Sequence, residues 1–276
     1  CSSLKSIVLP ESLTGLEANL FSACTSLESL TLPSNITYIN NRAITLCHSL
    51  KSLVIPNSVT RLAASCISSN AKLENVTLPN KLTDIPDSFL SNCDCLKNVD
   101  FPSTLRTIGK NAFVSCGFER VMLPDGITEI KDGAFQQNEY LCTATIPRDI
   151  KTLGNVYTYC GKLRRLYCRA PAPVTPGEYA FSPGGYFSDA VLLVPKGKVN
   201  DYKTANHWSI FKTVKEEVTG DANADGNVDV ADVNEIINLI LNQGNLVSLI
   251  GADVTGDGIV DVADLNKTIN IILRID

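Results

Sequence analysis

Histidine is scarce in this sequence, which contains only His48 and His207 among its 276 residues. No C-x-x-C pair occurs among the ten cysteines, so zinc sites and thioredoxin-like redox sites have little support. The sequence also lacks a glycine-rich phosphate loop, a nucleophile paired with a base, and a carboxylate dyad. Because such patterns carry most enzymatic chemistry, we expect no catalytic activity. The basic residues near position 165 are interpreted as surface charge: Arg164, Arg165 and Arg169.

Long apolar runs are absent as well, and the sequence shows neither a transmembrane segment nor a signal peptide. Its formal net charge of −5 is distributed unevenly. Residues 1–219 contain 22 basic and 19 acidic residues, whereas residues 220–276 contain two basic and ten acidic ones. The acidic balance and the lack of a clustered basic stripe disfavour a nucleic-acid partner. The change of sign near residue 220 indicates two domains.

Proline recurs at an almost constant interval through the first 150 residues. Each proline closes a phrase of the same form, such as LESLTLP at residues 27–33 and LKSLVIP at residues 50–56. The interval is 23 residues, except for one of 22. A fixed period of this size predicts a solenoid in which each coil contacts its neighbours. The repeated prolines are Pro10, Pro33, Pro56, Pro79, Pro102, Pro124 and Pro147.

Apolar and polar residues alternate within each phrase, as expected for a strand with one buried face. In LESLTLP, Leu30 would point inward while Ser29 and Thr31 point outward, and the proline ends the strand. Stacked coils then form a long parallel sheet with one strand per coil. Segments such as KNAFVSC at residues 110–116 are predicted to make one short helical turn between strands. The predicted fold class is therefore an α/β solenoid.

The outward-facing positions of this sheet are mostly small and polar, which suits an extended macromolecular partner. Larger side chains gather toward the later coils, and large anchors dominate interface energies. We therefore predict a ligand-binding hot spot in the later coils. It consists of Arg120, Met122, Arg165 and Tyr167.

The position after the first strand leucine alternates in charge from coil to coil. Opposite charges on neighbouring strands contribute about 0.2–1 kcal/mol per pair, whereas like charges would repel. We interpret this column as a determinant of strand register rather than as a binding site. It comprises Lys5, Glu28, Lys51, Glu74, Lys97 and Glu119.

Most of the cysteines share one repeat position, at the bend before each strand. Asn70 and Asn138 replace cysteine there in two coils, which favours a hydrogen-bonding role over a redox role. Side chains stacked in register point the same way, an orientation poorly suited to a disulfide, so we predict buried, reduced thiols. Cys1 fits this register, and a lipidated amino-terminal cysteine is the alternative. The column comprises Cys1, Cys24, Cys47, Cys93, Cys116 and Cys160.

The recurring phrase C-x-x-L-x-x-[IVL]-x-[LIF]-P, with Ala112 and Phe113 before Cys116 as one example, resembles the BspA-like (LRR_5) type of bacterial leucine-rich repeat. The resemblance covers residues 1–168. It implies a right-handed solenoid on an exported protein of a Gram-negative anaerobe, located at the cell surface or secreted. It also implies attachment to a host or extracellular ligand in some members.

Residues 169–219 look like the cap that closes such arrays. The last coil would otherwise expose an apolar edge, and Trp208, Phe211 and Tyr202 can cover it. Trp208 and its neighbour His207 are therefore interpreted as part of the cap rather than as a catalytic pair.

Two acidic segments start 32 residues apart in the last part of the chain, at Asp221 and Asp253. Each places oxygen ligands at positions 1, 3, 5, 9 and 12 of a twelve-residue loop, with a glycine at position 6, and this is the spacing of an EF-hand-like calcium loop. The sequence thus predicts two Ca²⁺ ions. Loop 1 would use Asp221, Asn223, Asp225, Asp229, Asp232 and the carbonyl of Asn227. Loop 2 would use Asp253, Thr255, Asp257, Asp261, Asp264 and the carbonyl of Ile259.

Apolar residues recur at helical spacing after each loop, as in Ile236 and Ile269. A loop followed by one helix, used twice over residues 220–276, resembles the type I dockerin module, a small all-α domain. The resemblance implies docking to a cohesin-like module. Positions 10 and 11 read Val-Ala in both loops instead of the Ser-Thr pair of cellulosomal dockerins, so another partner, or a purely structural role, remains open.

Three functional classes can be compared with these features. A surface or secreted binding and adhesion protein, with an extracellular protein or glycan as ligand, accounts for the repeats, the cap and the acidic module. The alternative is a non-catalytic subunit of a cohesin-dockerin linked extracellular complex related to polysaccharides. An enzyme is the least favoured class. The sequence does not identify the ligand of the solenoid.

Overall fold

The computed structural model describes residues 1–181, 186–222, 227–241, 249–255 and 260–275. The chain divides into two compact units. The first contains residues 1–192 together with 200–214, and the second contains residues 193–199 together with 215–276. The first unit is a solenoid of stacked coils, and the second contains most of the helices.

Each coil of the solenoid forms a primary strand just before its proline, as predicted. Neighbouring primary strands pair in parallel, with Ser6 opposite Ser29 and Val8 opposite Thr31. The burial alternates as expected, since Leu30 is buried between exposed Ser29 and Thr31. The primary strands are β1 (Ser6–Val8), β3 (Ser29–Thr31), β5 (Ser52–Val54), β7 (Asn75–Thr77), β9 (Asn98–Val99), β11 (Arg120–Val121), β13 (Thr143–Ile146) and β15 (Arg165–Cys168).

The primary strands do not form one uninterrupted sheet. Their orders are β1-β3, β5-β7-β9 and β11-β13-β15-β16-β17, where β16 is Val191–Val194 and β17 is Thr213–Glu216. The break between β9 and β11 coincides with the one interval of 22 residues between prolines. A second break, between β3 and β5, falls at a regular interval of 23 residues.

Each coil also forms a secondary strand of two residues, so the prediction of one strand per coil is wrong. Its second residue points inward, as Ile39 and Ile108 show with no exposed surface. Two residues are too few for an alternating pattern to reveal a strand. The secondary strands are β2 (Gly15–Leu16), β4 (Tyr38–Ile39), β6 (Arg61–Leu62), β8 (Asp84–Ile85), β10 (Thr107–Ile108), β12 (Glu129–Ile130) and β14 (Thr152–Leu153).

The segment after each secondary strand forms turns in place of the predicted helical turn. Within residues 1–181, all of which the structure describes, there is no α- or 3-10 helix. Asn111 and Ser115 both adopt φ of 54°, a left-handed conformation that interrupts a helix. The Asn111 N–H donates to the carbonyl of Asp132 (3.0 Å), and the Phe113 N–H to that of Ala134 (2.8 Å). A third backbone ladder thus joins successive coils.

Phenylalanine fills the centre of the middle coils. Phe113 and Phe135 stack with ring centroids 5.2 Å apart. Phe101 and Phe118 contact the edge of the Phe113 ring, with centroids at 5.5 and 5.7 Å. Phe113, Phe118 and Phe135 have no exposed surface, so this cluster links successive coils through apolar contacts.

The cysteine column is buried, as predicted, except at its first position. The Cys47 thiol lies 3.2 Å from the carbonyl oxygen of Phe21, and the Asn70 amide donates to the carbonyl of Ile44 at 2.9 Å. The two side chains thus contact carbonyl groups at equivalent positions of the repeat, which supports a hydrogen-bonding role for this column. Cys1 is exposed. All ten thiols are free.

The alternating charge column forms ion pairs at two places. Lys5 Nζ lies 3.7 Å from Glu28 Oε1, and Lys97 Nζ lies 3.2 Å from Glu119 Oε1. These side chains are more than half exposed, so each pair contributes at most about 1 kcal/mol.

The cap packs around one tryptophan, as predicted. Trp208 has no exposed surface, and its indole N–H donates to the carbonyl of Val174 at 2.8 Å. The rings of Phe181 and Tyr202 lie 5.1 and 5.0 Å from it. The cap also contains a 3-10 helix at Tyr186–Asp189 and helix α1 at Val199–Thr204.

The acidic module contains helices α2 (Val230–Ile240), α3 (Leu249–Ala252) and α4 (Val262–Leu273). Helix α2 packs against both α3 and α4. No helix among the residues described is both long and apolar enough to cross a membrane. Among the residues that the structure describes, one buried apolar cluster of the module comprises Ala222, Ile236, Leu239 and Ala252, with Ile240, Val260 and Leu265 packed against it.

Candidate functional site

The outer face of the primary strands β1 to β9 is the most regular exposed surface of the solenoid. Its side chains are exposed at every coil, and Val8 and Val54 are 94% and 62% exposed. The remaining outward positions carry serine, threonine, asparagine and Asp100. Such a face presents hydrogen-bonding and methyl groups that repeat once per coil. It presents no nucleophile with a base beside it.

The four residues of the predicted hot spot differ in accessibility. Arg120, Met122 and Arg165 are partly exposed. Tyr167 is only 1% exposed, so its side chain is not available to a ligand and the prediction is wrong for this residue. Alternation places Tyr167 on the outer face of β15, but this face is covered at the position of Tyr167, where its strand partner Thr145 on β13 is also 1% exposed.

In loop 2, the carboxylate of Asp264 connects the start of helix α4 with the start of the loop. Asp264 Oδ1 accepts from the Thr255 N–H at 2.8 Å, and Oδ2 accepts from the Asp261 N–H at 2.9 Å. Asp261 in turn caps α4 by accepting from the Ala263 N–H at 2.7 Å. The Thr255 hydroxyl donates to Asp253 Oδ1 at 3.4 Å. Positions 1, 3, 9 and 12 of the predicted loop therefore lie together.

Loop 1 has the same cap on helix α2. The Asp229 N–H donates to Asp232 Oδ2 at 2.8 Å, and Asp229 Oδ1 accepts from the Ala231 N–H at 2.7 Å. Asp232 is fully buried, and Asp221 is 7% exposed. Asn227 is exposed. The matching capping boxes at both helices show that the aspartates at positions 9 and 12 also begin the helix.

Four predicted calcium ligands lie outside the described residues, namely Asn223, Asp225, Asp257 and Ile259. Within the described part of the chain, no group of three or more His, Cys, Asp or Glu residues is arranged to hold a metal ion. The described ligands are nevertheless oxygen donors, as a hard cation requires. In loop 2, hydrogen bonds link four of these donors, namely Asp253, Thr255, Asp261 and Asp264.

The local hydrogen bonds favour the charged form of Asp264. Burial of its carboxyl group raises the pKa, but hydrogen bonds from Asp261 and Thr255 outweigh this effect, so the pKa is lower than usual. The carboxylate is therefore ionised at neutral pH, as a calcium ligand must be.

The buried thiols are poor nucleophiles. Burial raises the pKa of the Cys47 thiol to about 11 and the pKa of Cys66, Cys93 and Cys160 to about 12. At neutral pH these groups are thiols rather than the reactive thiolates. These four buried cysteines are therefore unsuited to nucleophilic catalysis.

A thiol titration should separate two classes of cysteine. In native protein at pH 8, Ellman's reagent is expected to modify exposed Cys1 and Cys95 quickly and half-buried Cys142 more slowly. The other seven, which are buried, should react only after denaturation, because burial blocks access of the reagent. Fewer than ten reactive thiols in denaturant without reductant would reveal disulfides and contradict the prediction.

Two family models match the chain. The model for the BspA type leucine-rich repeat region matches residues 1–94 and 68–183 in six copies. The model for the dockerin type I domain matches residues 219–273. None of the curated proteins searched matches the chain.

Solved structures of bacterial leucine-rich repeat proteins are also similar to the chain. The T. pallidum leucine-rich repeat protein TpLRR is 29% identical, over 50% of this chain and 68% of that one, with a TM-score of 0.49. A leucine-rich repeat protein from Bacteroides ovatus is 17% identical, over 79% and 62% of the two chains, with a TM-score of 0.44. The pneumococcal vaccine antigen PcpA is 16% identical, over 79% and 69%, with a TM-score of 0.43.

Proposed function

Because the chain belongs to the BspA-type leucine-rich-repeat family, we propose that it is a cell-surface or secreted protein whose solenoid attaches to an extracellular macromolecule. Leucine-rich repeats and dockerin modules are binding modules without catalytic domains. We further propose a division into repeats at 1–168, a cap at 169–219 and a calcium module at 220–276.

The exposed outer face of β1 to β9 is the observation that carries this proposal. Its side chains repeat at every coil, while aliphatic and aromatic residues fill the interior. A surface of this kind binds an extended partner through many modest contacts. Arg120, Met122 and Arg165 are partly exposed in the later coils and provide larger contacts on the same side of the sheet.

The experiment is a comparison of the full chain with a chain ending at residue 219, each tested for binding to immobilised extracellular-matrix proteins and glycans. The proposal predicts that both bind the same ligand equally well. Substituting Arg120, Met122 and Arg165 together with alanine should weaken that binding. Binding that is lost with residues 220–276 would instead assign ligand recognition to the acidic module.

The match to dockerin type I supports a second role, in which the acidic module joins the protein to a larger extracellular assembly. Type I dockerins bind calcium, and the capping boxes at Asp229 and Asp261, each at predicted loop position 9, support a calcium loop before each helix. We propose two Ca²⁺ ions and a cohesin-like partner. Calcium-dependent capture of a cohesin by the full chain, absent after chelation, tests this role.

A further inference from the structure

The shortened coil lacks one residue at a position where its neighbours carry an outward side chain. Two residues separate Cys93 from Leu96, and two separate Asn138 from Leu141. In the coil between them, a single glycine, Gly117, separates Cys116 from Phe118. The neighbouring coils place Cys95 and Tyr140 directly before the strand leucine, so no side chain stands between these two.

The missing side chain leaves a slot in the surface. A groove of about 610 Å³ lies here, lined by Cys95, Gly117 and Tyr140 together with Glu74 and Asp94. A Cβ atom at Gly117 would overlap the carbonyl oxygen of Asp94. Position 117, which forms the floor of the slot, therefore tolerates no side chain. Cys95 and Tyr140 are two coils apart, or about 10 Å at the usual strand spacing. That width admits one flat group between them.

Tyr140 forms one wall of the slot. It is 56% exposed, and the Lys162 ammonium lies 4.6 Å from its ring centroid. Lys162 belongs to the following coil, on the side away from Gly117, so the opposite face of the ring is turned toward the slot. A planar group that enters the slot would therefore stack on that face.

The rim of the slot carries unbalanced negative charge. Lys97 is paired with Glu119 at 3.2 Å. Glu74 and Asp94 form no ion pair with any residue that the structure describes, although both line the groove. The slot thus combines one available aromatic face with two carboxylates that lack a cation.

We propose that this slot binds an arginine side chain of a protein ligand. A guanidinium group is planar and cationic, stacks on aromatic rings, and pairs with carboxylates through two parallel hydrogen bonds. It would lie against Tyr140 and pair with Asp94, while Glu74 adds negative charge at the far rim of the groove. This inference rests on the proposed function, because it names one anchor through which the solenoid recognises a protein.

The test uses the full chain and a short peptide of alternating glycine and arginine, with binding measured by calorimetry at physiological ionic strength. The control peptides carry citrulline, which is planar but neutral, or lysine, which is charged but not planar. We expect the arginine peptide to bind at least about tenfold more tightly than either control. Equal binding of arginine and citrulline, or of arginine and lysine, would overturn the proposal.

Variants locate the binding on the protein. Tyr140→Ala, and the pair Glu74→Gln with Asp94→Asn, should each weaken binding of the arginine peptide about tenfold. The matched control, Glu11→Gln with Glu178→Gln, removes two exposed carboxylates outside the slot and should leave binding within about twofold. Equal losses in the control would show non-specific attraction to acidic protein and reject the slot.

An insertion provides a separate steric test. Adding one serine between Gly117 and Phe118 restores the 23-residue interval of the neighbouring coils and fills the slot, and it should abolish peptide binding. Circular dichroism and thermal unfolding must show that the insertion variant is folded, and the substitution variants test the proposal if it is not. In a competition assay, the solenoid could bind a matrix protein that the arginine peptide does not displace. This result would reject the slot and leave the proposed function intact.

Discussion

Removal of calcium is expected to unfold residues 220–276 and to leave the solenoid folded. This region contains ten acidic and two basic residues, and four of the predicted ligands of each loop are aspartates. Without a cation, the carboxylates of each loop repel one another, and this repulsion destabilises the folded module. Far-ultraviolet circular dichroism should therefore show a loss of helix after chelation.

Differential scanning calorimetry should show two unfolding transitions in the presence of calcium. After chelation, only the transition of the solenoid should remain. The cap seals the solenoid with Trp208 and Tyr202, both without exposed surface, so its melting should not shift. Unchanged helix content and unchanged melting of the whole chain after chelation would contradict the prediction.

Single substitutions should distinguish the two loops. Asp232→Asn and Asp264→Asn each remove the position-12 carboxylate of one loop and should each reduce the calcium stoichiometry by one ion. Loop 1 is expected to bind at least as tightly, because Asn223 offers a better neutral oxygen at position 3 than Thr255 does. Asp276→Asn removes an acid outside both loops and serves as the control.

Truncation of Phe113 should destabilise the solenoid more than any other single change in the repeats. Its fully buried ring stacks on Phe135 and meets Phe89, Phe101 and Phe118 edge-on, at centroid distances of 5.2 to 6.4 Å. Phe113→Ala is expected to lower the free energy of unfolding by about 3–5 kcal/mol. Because each coil is stabilised by its neighbours, the coils on both sides should loosen together.

Denaturant unfolding of the chain ending at residue 219 measures this effect without a contribution from the acidic module. Phe113→Leu retains much of the apolar volume and should lose less than half as much stability. Tyr159→Ala changes a ring that is 50% exposed and should stay within about 1 kcal/mol of the wild type. A loss below about 1 kcal/mol for Phe113→Ala would show that the cluster relaxes around the cavity.

The periodic part of the fold could be predicted from the sequence because each coil repeats the same constraints. Leu30 is buried between exposed Ser29 and Thr31, as period two requires. The cap was predicted from the need to cover an apolar edge, and Trp208 is indeed buried. The secondary strands were missed, since a pair such as Thr107 and Ile108 is too short to alternate.

Other features depended on information that a local pattern does not contain. Asn111 and Ser115 adopt left-handed backbone angles, although the segment that holds them is compatible with a helical turn. Alternation placed Tyr167 outside, but coverage of the outer face at this position depends on the tertiary structure. The slot beside Tyr140 could have been found, since the single interval of 22 residues marks the missing side chain.

The three backbone ladders have a consequence for how this array can change in evolution. In the regular part, contacts between coils join residues that are 23 positions apart or close to it, as in the pairing of Ser52 with Asn75. A duplication or deletion of one 23-residue unit recreates the same contacts at the new junction. Homologous recombination can therefore lengthen or shorten the regular coils without redesigning the core. The shortened coil at Gly117 is not interchangeable in this way, because removing it would close the gap between Cys95 and Tyr140.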